Sequence, residues 1–384
     1  MASRRLAAEG IGSVAREILL VAGETSGDLH AAAVAREIRR LAPAVKLAGI
    51  GGTRMQREGV ELIEHVSRLS VMGFTEVLRH IPRHYQLLRR VTARIESGNA
   101  GLVILVDYPG FNMKVAHAAH EARVPVLYYV APQVWAWGAN RIAKLAEYVT
   151  RAAVILPFEE KMLRMGGVDA TFVGHPLLDR AVSLPSLSQA REKLGLPMNA
   201  PVLALFPGSR FQEIARHLDV FVATARELES RVRGLRVVVS GAPDIRIDSS
   251  CCPYPVITED SFTVLTAADA ALCKSGTTTL EAAVAGCPLV IGYRTSRWTY
   301  ALARRLVKVA HIGLVNIVAE RVVAPEFVQE AFVPKEVASV LEPLLDRTNS
   351  VRSAMCSDLA EVRRKLGSPG AAVRVAEMAI DLLA

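Results

Sequence analysis

The stretch ILLVAGETSGDLH places two carboxylates, Glu24 and Asp28, in a glycine-containing turn between an apolar run and a helical pattern. Glycine permits tight turns of the kind that often hold phosphate, but these carboxylates would repel an anion. Because carboxylates accept hydrogen bonds from hydroxyl groups, the turn is predicted to bind a polyhydroxyl ligand. The residues assigned to that site are Glu24, Ser26, Gly27 and Asp28. For Asp28 alone we favour a second interpretation, an N-cap on a helix that begins at Leu29.

The segment VDYPGFN, residues 106–112, follows the apolar run GLVILV. Asp107 is therefore predicted at the carboxyl end of a strand, where the active sites of open parallel sheets lie. A carboxylate at that position can act as a general base on a sugar hydroxyl. The alternative is a simple turn, which the pattern Asp-x-Pro-Gly also favours. Asn112 is also assigned to substrate binding, where it would help to orient Asp107, or it begins the next helix.

A histidine and two tryptophans are further candidates for ligand contacts. His175 in GHPLLD is expected at a strand end, where it either has a structural role or contacts a phosphate. Trp135 and Trp137 would point the same way on an extended segment. Each of them either packs in the core or forms a wall against a sugar or an acyl chain.

The segment LFPGSRFQEI, residues 205–214, gives the clearest anion-binding pattern. A predicted strand ends, a Pro-Gly pair turns the chain and a helix follows, so backbone N–H groups and a guanidinium could hold a pyrophosphate. The residues assigned to this contact are Gly208, Ser209, Arg210 and Glu213. The alternative is an ordinary turn with a surface arginine.

The segment CKSGTTTLE, residues 273–281, predicts a second anion contact in the same half of the chain. Small hydroxyl residues and a glycine at a helix start favour a diphosphate, and Glu281 could hold a ribose. The residues assigned here are Ser275, Gly276, Thr277, Thr278 and Glu281. The alternative is a plain Ser/Thr cap. This alternative is less favoured because the same half of the chain contains two predicted anion contacts.

All of these segments lie where an apolar run meets a helical pattern. Continuous apolar runs bounded by glycine or proline are typical of parallel strands buried on both faces. The alternation of runs and helical patterns predicts an α/β fold. It occurs twice, so we predict two Rossmann-like domains, residues 17–183 and 201–384, facing each other across a cleft. A Ser-, Pro- and Leu-rich linker is predicted at 184–200, and the last helices could pack back on the first domain.

Composition narrows the class of protein. The chain has 384 residues, a net charge of +8 and 51% hydrophobic residues, which fits a soluble globular protein with anionic partners such as nucleotides or an acidic membrane surface. Its five cysteines form no CxxC pair, so reduced thiols in the cytoplasm are expected, with no metal site. Residues 1–16 are predicted to be a disordered leader, and no apolar stretch is long enough to span a bilayer.

The stretch FTEVLRHIPRHYQLLRR, residues 74–90, mixes apolar and basic side chains. The default interpretation is an amphipathic helix that packs on the core and exposes a basic side. The alternative is a helix that rests on an anionic membrane, and this gains weight if the substrate is a lipid.

The ordered set of motifs resembles the lipid-A-disaccharide synthase family over about residues 17–330. These motifs are AGETSGD, GIGGTRM, MGFTEVL, DYPGFN, QVWAW, LPFE, GHPLLD, PGSRFQEI, SGTTTLE and VNIVAE. The resemblance implies a GT-B glycosyltransferase fold and inverting transfer of 2,3-diacylglucosamine from its UDP derivative to 2,3-diacylglucosamine 1-phosphate (lipid X). It also implies peripheral contact with the cytoplasmic face of the inner membrane. No cofactor, metal or nucleic acid is expected, and a homodimer is left open.

The resemblance also implies roles for single residues. Asp107 would be the base for the acceptor 6-hydroxyl, and Arg210 would stabilise the leaving UDP. Glu281 and Asn316 would help to hold UDP.

Two positions depart from the family pattern. Gly110 stands where many relatives carry a second carboxylate, so no catalytic role is expected there. Val315 replaces a frequent proline, which puts the contact of the following residue, Asn316, in question.

Other functions are compatible with parts of this pattern. One is another UDP-sugar enzyme of the same fold, such as the peptidoglycan GlcNAc transferase or a UDP-GlcNAc 2-epimerase. Another is a carrier that binds UDP or lipid without catalysis. An NAD-dependent oxidoreductase is disfavoured because the fingerprint GxGxxG is absent from the first loop.

Overall fold

The computed structural model describes residues 17–68, 74–132, 140–242, 245, 247–248, 250–296, 300 and 310–384, with the backbone alone for 74–81 and 140. The predicted leader, residues 1–16, and the tryptophans at 135 and 137 lie outside this description. The chain divides into two compact units. Unit 1 comprises Met1–Pro176 and Ser368–Ala384, and unit 2 comprises Leu177–Gly367.

Unit 1 contains a parallel sheet of seven strands in the order β3-β2-β1-β4-β5-β6-β7. The strands are β1 Glu17–Ala22, β2 Lys46–Gly51, β3 Glu61–His65, β4 Ala100–Val106, β5 Val126–Tyr129, β6 Arg151–Val154 and β7 Ala170–Phe172. The strand order reverses between β1 and β4. Ligands of such sheets bind beyond the carboxyl ends of the strands at this switch point.

Unit 2 contains a parallel sheet of six strands in the order β10-β9-β8-β11-β12-β13. The strands are β8 Val202–Phe206, β9 Arg236–Ser240, β10 Val256–Ile257, β11 Ala270–Lys274, β12 Leu289–Tyr293 and β13 Glu326–Val328. Here the order reverses between β8 and β11. Each unit therefore has the doubly wound topology that the two series of apolar runs predict.

Helices lie between most successive strands in both units, and three more follow β13. In chain order they are α1 Thr25–Leu41, α2 Thr53–Arg57, α3 Phe74–Glu96, α4 Pro109–Glu121, α5 Asn140–Tyr148, α6 Pro157–Met165, α7 Leu177–Arg180, α8 Leu187–Lys193, α9 Phe211–Glu229, α10 Ser261–Ala267, α11 Thr278–Ala285, α12 Leu314–Ala319, α13 Pro334–Leu345, α14 Ser350–Lys365 and α15 Ala371–Leu383. Short 3-10 turns occur at Val66–Arg68, Ala181–Ser183 and Gln329–Ala331.

Both faces of the unit 1 sheet are buried, as its apolar runs predict. In β1, Leu19 and Val21 pack into one hydrophobic cluster. Ile18, Leu20 and Ala22 pack into a second cluster. Successive side chains of a strand point to opposite faces, so this strand has core on both sides.

The segment 184–200, predicted to be a linker, instead forms part of unit 2. It contains α8, where Arg191 is fully buried and donates to the Asp269 carboxylate at 2.8 Å. A segment held by a buried ion pair is part of the folded core. The chain passes from unit 1 to unit 2 earlier, at residues 176–177.

The last helix, α15, belongs to unit 1, so the predicted second domain, residues 201–384, ends too late, whereas the predicted packing of a C-terminal helix on the first domain is confirmed. Its Val375 and Ala376 pack into the same cluster as the β1 residue Leu20. Arg374 donates to the carbonyl oxygen of Val173 at 2.9 Å. These contacts complete one face of the unit 1 sheet with a helix from the far end of the chain.

The described residues contain neither a candidate membrane span nor a cluster of metal-binding side chains. Among their helices, none has both the length and the apolar character needed to cross a bilayer. Their His, Cys, Asp and Glu side chains form no group of three or more that could hold a metal ion.

Candidate active site

The loops after β1 and β4 of unit 1 touch each other. The two strands are hydrogen-bonded neighbours, with Ala22 paired to Val106. The ring of Tyr108, in the second loop, lies against Gly23, in the first, so that a Cβ atom at residue 23 would overlap it. Only glycine fits there, and the motifs AGETSGD and DYPGFN therefore meet at one place.

Asp107 lies on a constrained backbone at the end of β4. Asp107 and Tyr108 both have positive φ values, 51° and 48°, a left-handed conformation that costs a non-glycine residue about 1 kcal/mol or more. The Asp107 carbonyl oxygen accepts hydrogen bonds from the Tyr128 hydroxyl and the Asn112 amide, both at 2.7 Å. These bonds fix the backbone that carries the half-buried Asp107 side chain.

Asn112 holds the Asp107 backbone instead of facing a ligand. Helix α4 begins at Pro109, and Asn112 is fully buried within its first turns. Its side-chain amide donates to the carbonyl oxygens of Val106 and Asp107, at 3.3 and 2.7 Å. Because the side chain has no exposed surface, the assignment of Asn112 to substrate binding is wrong. Its contact with the Asp107 backbone agrees with the predicted orienting role, so Asn112 is a positioning residue.

The opening loop of unit 1 divides into exposed and buried residues. Glu24 and Ser26 are exposed to solvent. Gly27 is buried, and a Cβ atom there would lie 3.2 Å from the Cβ atom of Ala22. Gly27 thus permits close packing against β1, so the ligand contacts assigned to this loop reduce to its exposed residues.

Asp28 is buried and serves as a cap within the protein. Its carboxylate accepts hydrogen bonds from the N–H groups of Gly52, Arg54 and Met55, at 2.6, 3.2 and 3.1 Å. It therefore caps α2, the helix after β2. The favoured interpretation, a cap on a helix beginning at Leu29, is wrong in its target because α1 already begins at Thr25. Because its carboxylate accepts three backbone hydrogen bonds, the assignment of Asp28 to ligand binding is wrong, and Asp28 is a structural cap.

Tyr108 and His84 extend this site, and sequence reasoning missed both. The Tyr108 hydroxyl lies 3.1 Å from Nε2 of His84, on α3. Burial, together with the nearby Glu24 carboxylate, raises the pKa of Tyr108, so its hydroxyl keeps its proton at neutral pH. The sequence pattern of residues 74–90 carries no signal for this contact between α3 and the loop after β4.

His175 is buried in unit 1 and uncharged at neutral pH. Burial, and then the nearby His30, lower its pKa from the usual 6.5 to about 3. A neutral, enclosed imidazole cannot act as a cationic contact for a phosphate. The phosphate interpretation of His175 is therefore corrected to the structural one.

The loops after β8 and β11 form the corresponding place in unit 2. Their strands are neighbours, with Phe206 paired to Cys273. Ser209 and Arg210 are exposed in the first loop, and α9 begins at Phe211. A guanidinium beside the start of a helix is a suitable arrangement for an anion.

Glu213 joins these two loops through Ser209 and Lys274. Its Oε2 atom accepts from the Ser209 N–H at 3.0 Å, and its Oε1 atom accepts from the Lys274 ammonium at 2.9 Å. Burial alone would raise the pKa of Glu213, but these donors lower it below its ordinary value. Gly208 allows the contact, since a Cβ atom there would lie 2.6 Å from that of Glu213. Lys274 was missed in sequence although it directly precedes the assigned Ser275.

The loop after β11 contains one hydroxyl turned inward and others at the surface. The Ser275 hydroxyl donates to the carbonyl oxygen of Ile312 at 2.7 Å. Thr277 is exposed, and Gly276 and Thr278 are half-buried. Helix α11 begins at residue 278, so this surface presents a helix start beside the loop of Arg210.

Glu281 lies in α11 and is largely buried. Its Oε1 atom accepts from the Arg180 guanidinium at 2.9 Å. Arg180 also pairs with Asp260 at 2.5 Å and lies over the ring of Phe262. The carboxylate of Glu281 is thus held by a cation, and its contact with a ribose stays a prediction.

Asn316 is fully buried and does not face a ligand. Its amide nitrogen donates to Ala324 O and Glu326 Oε1, at 2.7 and 2.8 Å. Its amide oxygen accepts from the N–H groups of Val323 and Ala324, at 2.8 and 2.9 Å. The implied contact with UDP is therefore corrected: Asn316 holds the segment before β13.

Sequence comparison relates the chain to one family. A family model described as lipid-A-disaccharide synthetase matches residues 18–370. A relative named lipid-A-disaccharide synthase from Geobacter metallireducens is 40% identical over 379 residues, which cover 96% of this chain and 97% of the relative. Another of that name, from Anaeromyxobacter sp. (strain K), is 41% identical over 377 residues, with coverage of 96% and 97%.

Solved structures share the fold at low sequence identity. CalG4, the calicheamicin glycosyltransferase, matches with a TM-score of 0.63 and 17% identity, over 96% of this chain and 98% of its own. MnaA from S. aureus, in a co-structure with UDP, matches with a TM-score of 0.64 and 11% identity, over 94% of each chain. This likeness shows the GT-B fold of two parallel-sheet α/β units. Because the family model and the relatives span nearly the whole sequence, the chain belongs to the lipid-A-disaccharide synthase family of glycosyltransferases.

Proposed function

We propose that the protein transfers 2,3-diacylglucosamine from UDP-2,3-diacylglucosamine to the 6-hydroxyl of 2,3-diacylglucosamine 1-phosphate. The products are UDP and a β-1′,6-linked tetraacyl disaccharide 1-phosphate, as in lipid A biosynthesis. Family membership supports this reaction. The charges at the carboxyl edges of the two sheets support a division of labour, with the acceptor on unit 1 and UDP on unit 2.

The position of Asp107 carries the proposal for unit 1. Asp107 removes the proton of the acceptor 6-hydroxyl as that oxygen attacks the anomeric carbon of the donor. The bond between this carbon and the UDP oxygen breaks, and one direct displacement with a single base inverts the anomeric carbon. The exposed residues Glu24 and Ser26, on the adjoining loop, accept hydrogen bonds from sugar hydroxyls.

In unit 2, Arg210 binds the leaving diphosphate. The leaving diphosphate gains negative charge as the bond to the sugar breaks, and a guanidinium beside a helix start stabilises that charge. The loop 275–278 supplies the second contact of the diphosphate. Glu281, which Arg180 holds at 2.9 Å, contacts the ribose.

The acyl chains of both substrates place the reaction at a lipid surface, which we propose is the cytoplasmic face of the inner membrane. The described part of α3 supports this location: Tyr85 is 58% exposed, and the Arg89 guanidinium lies 5.7 Å from the centre of its ring. Flotation with anionic vesicles should decrease in the double variant Arg83→Glu, Arg89→Glu. Equal flotation of the wild type and this variant would reject α3 as the contact.

Mass spectrometry of the products tests the reaction itself. With both acylated sugars, we expect the tetraacyl disaccharide 1-phosphate and one UDP for each disaccharide formed. UDP-GlcNAc, which lacks the acyl chains, is the matched control and should be a poor donor. Its efficient hydrolysis or epimerisation would favour another UDP-sugar enzyme, and UDP binding without any turnover would favour a carrier.

A further inference from the structure

Lys274 and Glu213 form an ion pair at the carboxyl edge of the unit 2 sheet, between the loops assigned to UDP. Lys274 ends β11, and its ammonium donates to Oε1 of Glu213 at 2.9 Å. The other carboxylate oxygen of Glu213 accepts from the Ser209 N–H at 3.0 Å. One carboxylate thus bridges a cation from one loop and a backbone donor from the other.

These two donors suit a phosphate as well as a carboxylate. Both kinds of oxyanion accept charge-assisted hydrogen bonds from ammonium and backbone N–H groups. The exposed Arg210 places a second cation near Glu213, so two cations surround this single carboxylate. The local charge is therefore positive, and a diphosphate brings more negative charge to these donors than one carboxylate does.

We propose that Lys274 binds the diphosphate of the sugar-nucleotide donor by exchanging Glu213 for a phosphate oxygen. This inference rests on the proposed function, because it takes the anion to be the diphosphate of UDP. Glu213 is then a positioning residue. It holds the ammonium, whose side chain is only 20% exposed, towards the loop of Ser209 and keeps a largely enclosed charge paired.

A second lysine pair in unit 2 provides the matched comparison. Lys193 and Glu259 lie 2.7 Å apart, but their side chains are 54% and 46% exposed. Lys193 lies in α8, outside both loops assigned to UDP. It therefore reports what a lysine–glutamate pair contributes when no phosphate is near.

Calorimetric titration with UDP, UMP and uridine tests the inference. We expect Lys274→Met to weaken UDP binding about 10- to 100-fold, since it removes one charged hydrogen bond. The loss should be smaller for UMP and absent for uridine. Lys274→Arg should keep most of the UDP affinity, and Lys193→Met should leave it unchanged. Equal UDP affinity in the wild type and Lys274→Met would overturn the inference.

Amine acylation of the wild-type protein gives an independent readout that needs no variant to fold. Peptide mass spectrometry should show that saturating UDP slows acylation of Lys274 and leaves that of Lys193 unchanged. Equal labelling of Lys274 with and without bound UDP would overturn the inference while leaving the proposed reaction in place. A wild-type protein that binds no UDP would instead contradict the proposed function.

Discussion

The carboxyl edges of the two sheets carry opposite charges. The edge of unit 1 presents Glu24 and Asp107, whereas that of unit 2 presents Arg210 and Lys274. Carboxylates accept hydrogen bonds from hydroxyl groups, and guanidinium and ammonium groups bind phosphates. Two sheets of the same topology have thus been given different chemistry by a few residues in the loops after their central strands. This difference is the physical basis for placing a sugar alcohol on one unit and UDP on the other.

The two units nevertheless share one feature, a buried asparagine whose side chain forms hydrogen bonds with backbone groups. Asn112 in unit 1 ties the carbonyl oxygen of Asp107 to the start of α4. Asn316 in unit 2 makes hydrogen bonds with the segment 323–326. Both are fully buried. We therefore expect the charged residues of the loops after the central strands to control turnover and affinity, and the buried amides to control stability.

The largest effect is expected for Asp107→Asn. Loss of a general base lowers turnover about 10²- to 10⁴-fold, and UDP affinity should be unchanged because Arg210 and Lys274 lie on the other unit. Turnover with both acylated sugars and calorimetry with UDP measure the two quantities. Asp381→Asn, an exposed aspartate of unit 1 in α15, is the control. Near-normal turnover in Asp107→Asn would remove the base from unit 1 and with it the proposed division of labour.

Asn316→Ala should reduce stability and spare UDP binding. The variant leaves the N–H groups of Val323 and Ala324 without their acceptor, and a buried unpaired group costs about 1–3 kcal/mol. We expect the free energy of unfolding, measured in urea, to fall by about 3 kcal/mol. Asn199→Ala, at an exposed position, should change it little. A folded Asn316→Ala protein with strongly weakened UDP binding would show that this residue serves the ligand after all.

The positions of these residues show what the sequence can and cannot predict. The strand–helix alternation was enough for the two parallel sheets, and the place of Asp107 at a strand end followed from the apolar run before it. Sequence position does not give the direction of a side chain, however. Glu24 and Asp28 are neighbours in one motif, yet the first is exposed and the second caps another helix.

The linker prediction and the omission of Lys274 have different physical causes. The predicted linker contained the pattern Ser-x-x-Gln at Ser186 and Gln189, a capping box that does signal a helix start. Lys274 had no such signal, because its role depends on a carboxylate 61 positions away in sequence. Local patterns can reveal the first kind of feature, whereas the second requires the folded chain.

His175 of unit 1 is a buried, neutral imidazole, in contrast to the charged Arg210 and Lys274 of unit 2. Its folded pKa of about 3 lies below the usual 6.5, so the unfolded chain takes up a proton first as the pH falls. The contribution of the neutral His175 to the free energy of unfolding is fully present above pH 6.5. It decreases as the pH falls below 6.5, by about 2 kcal/mol at pH 5.

Urea unfolding at pH 7 and pH 5 measures this decrease. His175→Gln removes the titrating group, so its loss of stability between the two pH values should be about 2 kcal/mol smaller than that of the wild type. His120→Gln, at an exposed position of the same unit, is the comparison variant. An equal pH dependence in His175→Gln and the wild type would contradict the enclosed, neutral state of this imidazole.

The smallest effect, about tenfold in UDP affinity, is expected for Arg210→Ala. The residue is exposed beside the start of α9, and substitutions at exposed positions usually change stability little, so its removal should cost affinity and little stability, the reverse of Asn316→Ala. Arg226→Ala, in the last turn of the same helix α9, is the matched control, because its charge lies at the far end of the helix. Calorimetry with UDP at two salt concentrations measures the change, and the difference between the two arginine variants should shrink at high salt as screening increases. If both variants bound UDP equally well, the anion site of unit 2 would rest on Lys274 and backbone groups without the guanidinium, and the charge contrast between the two sheets would be correspondingly weaker.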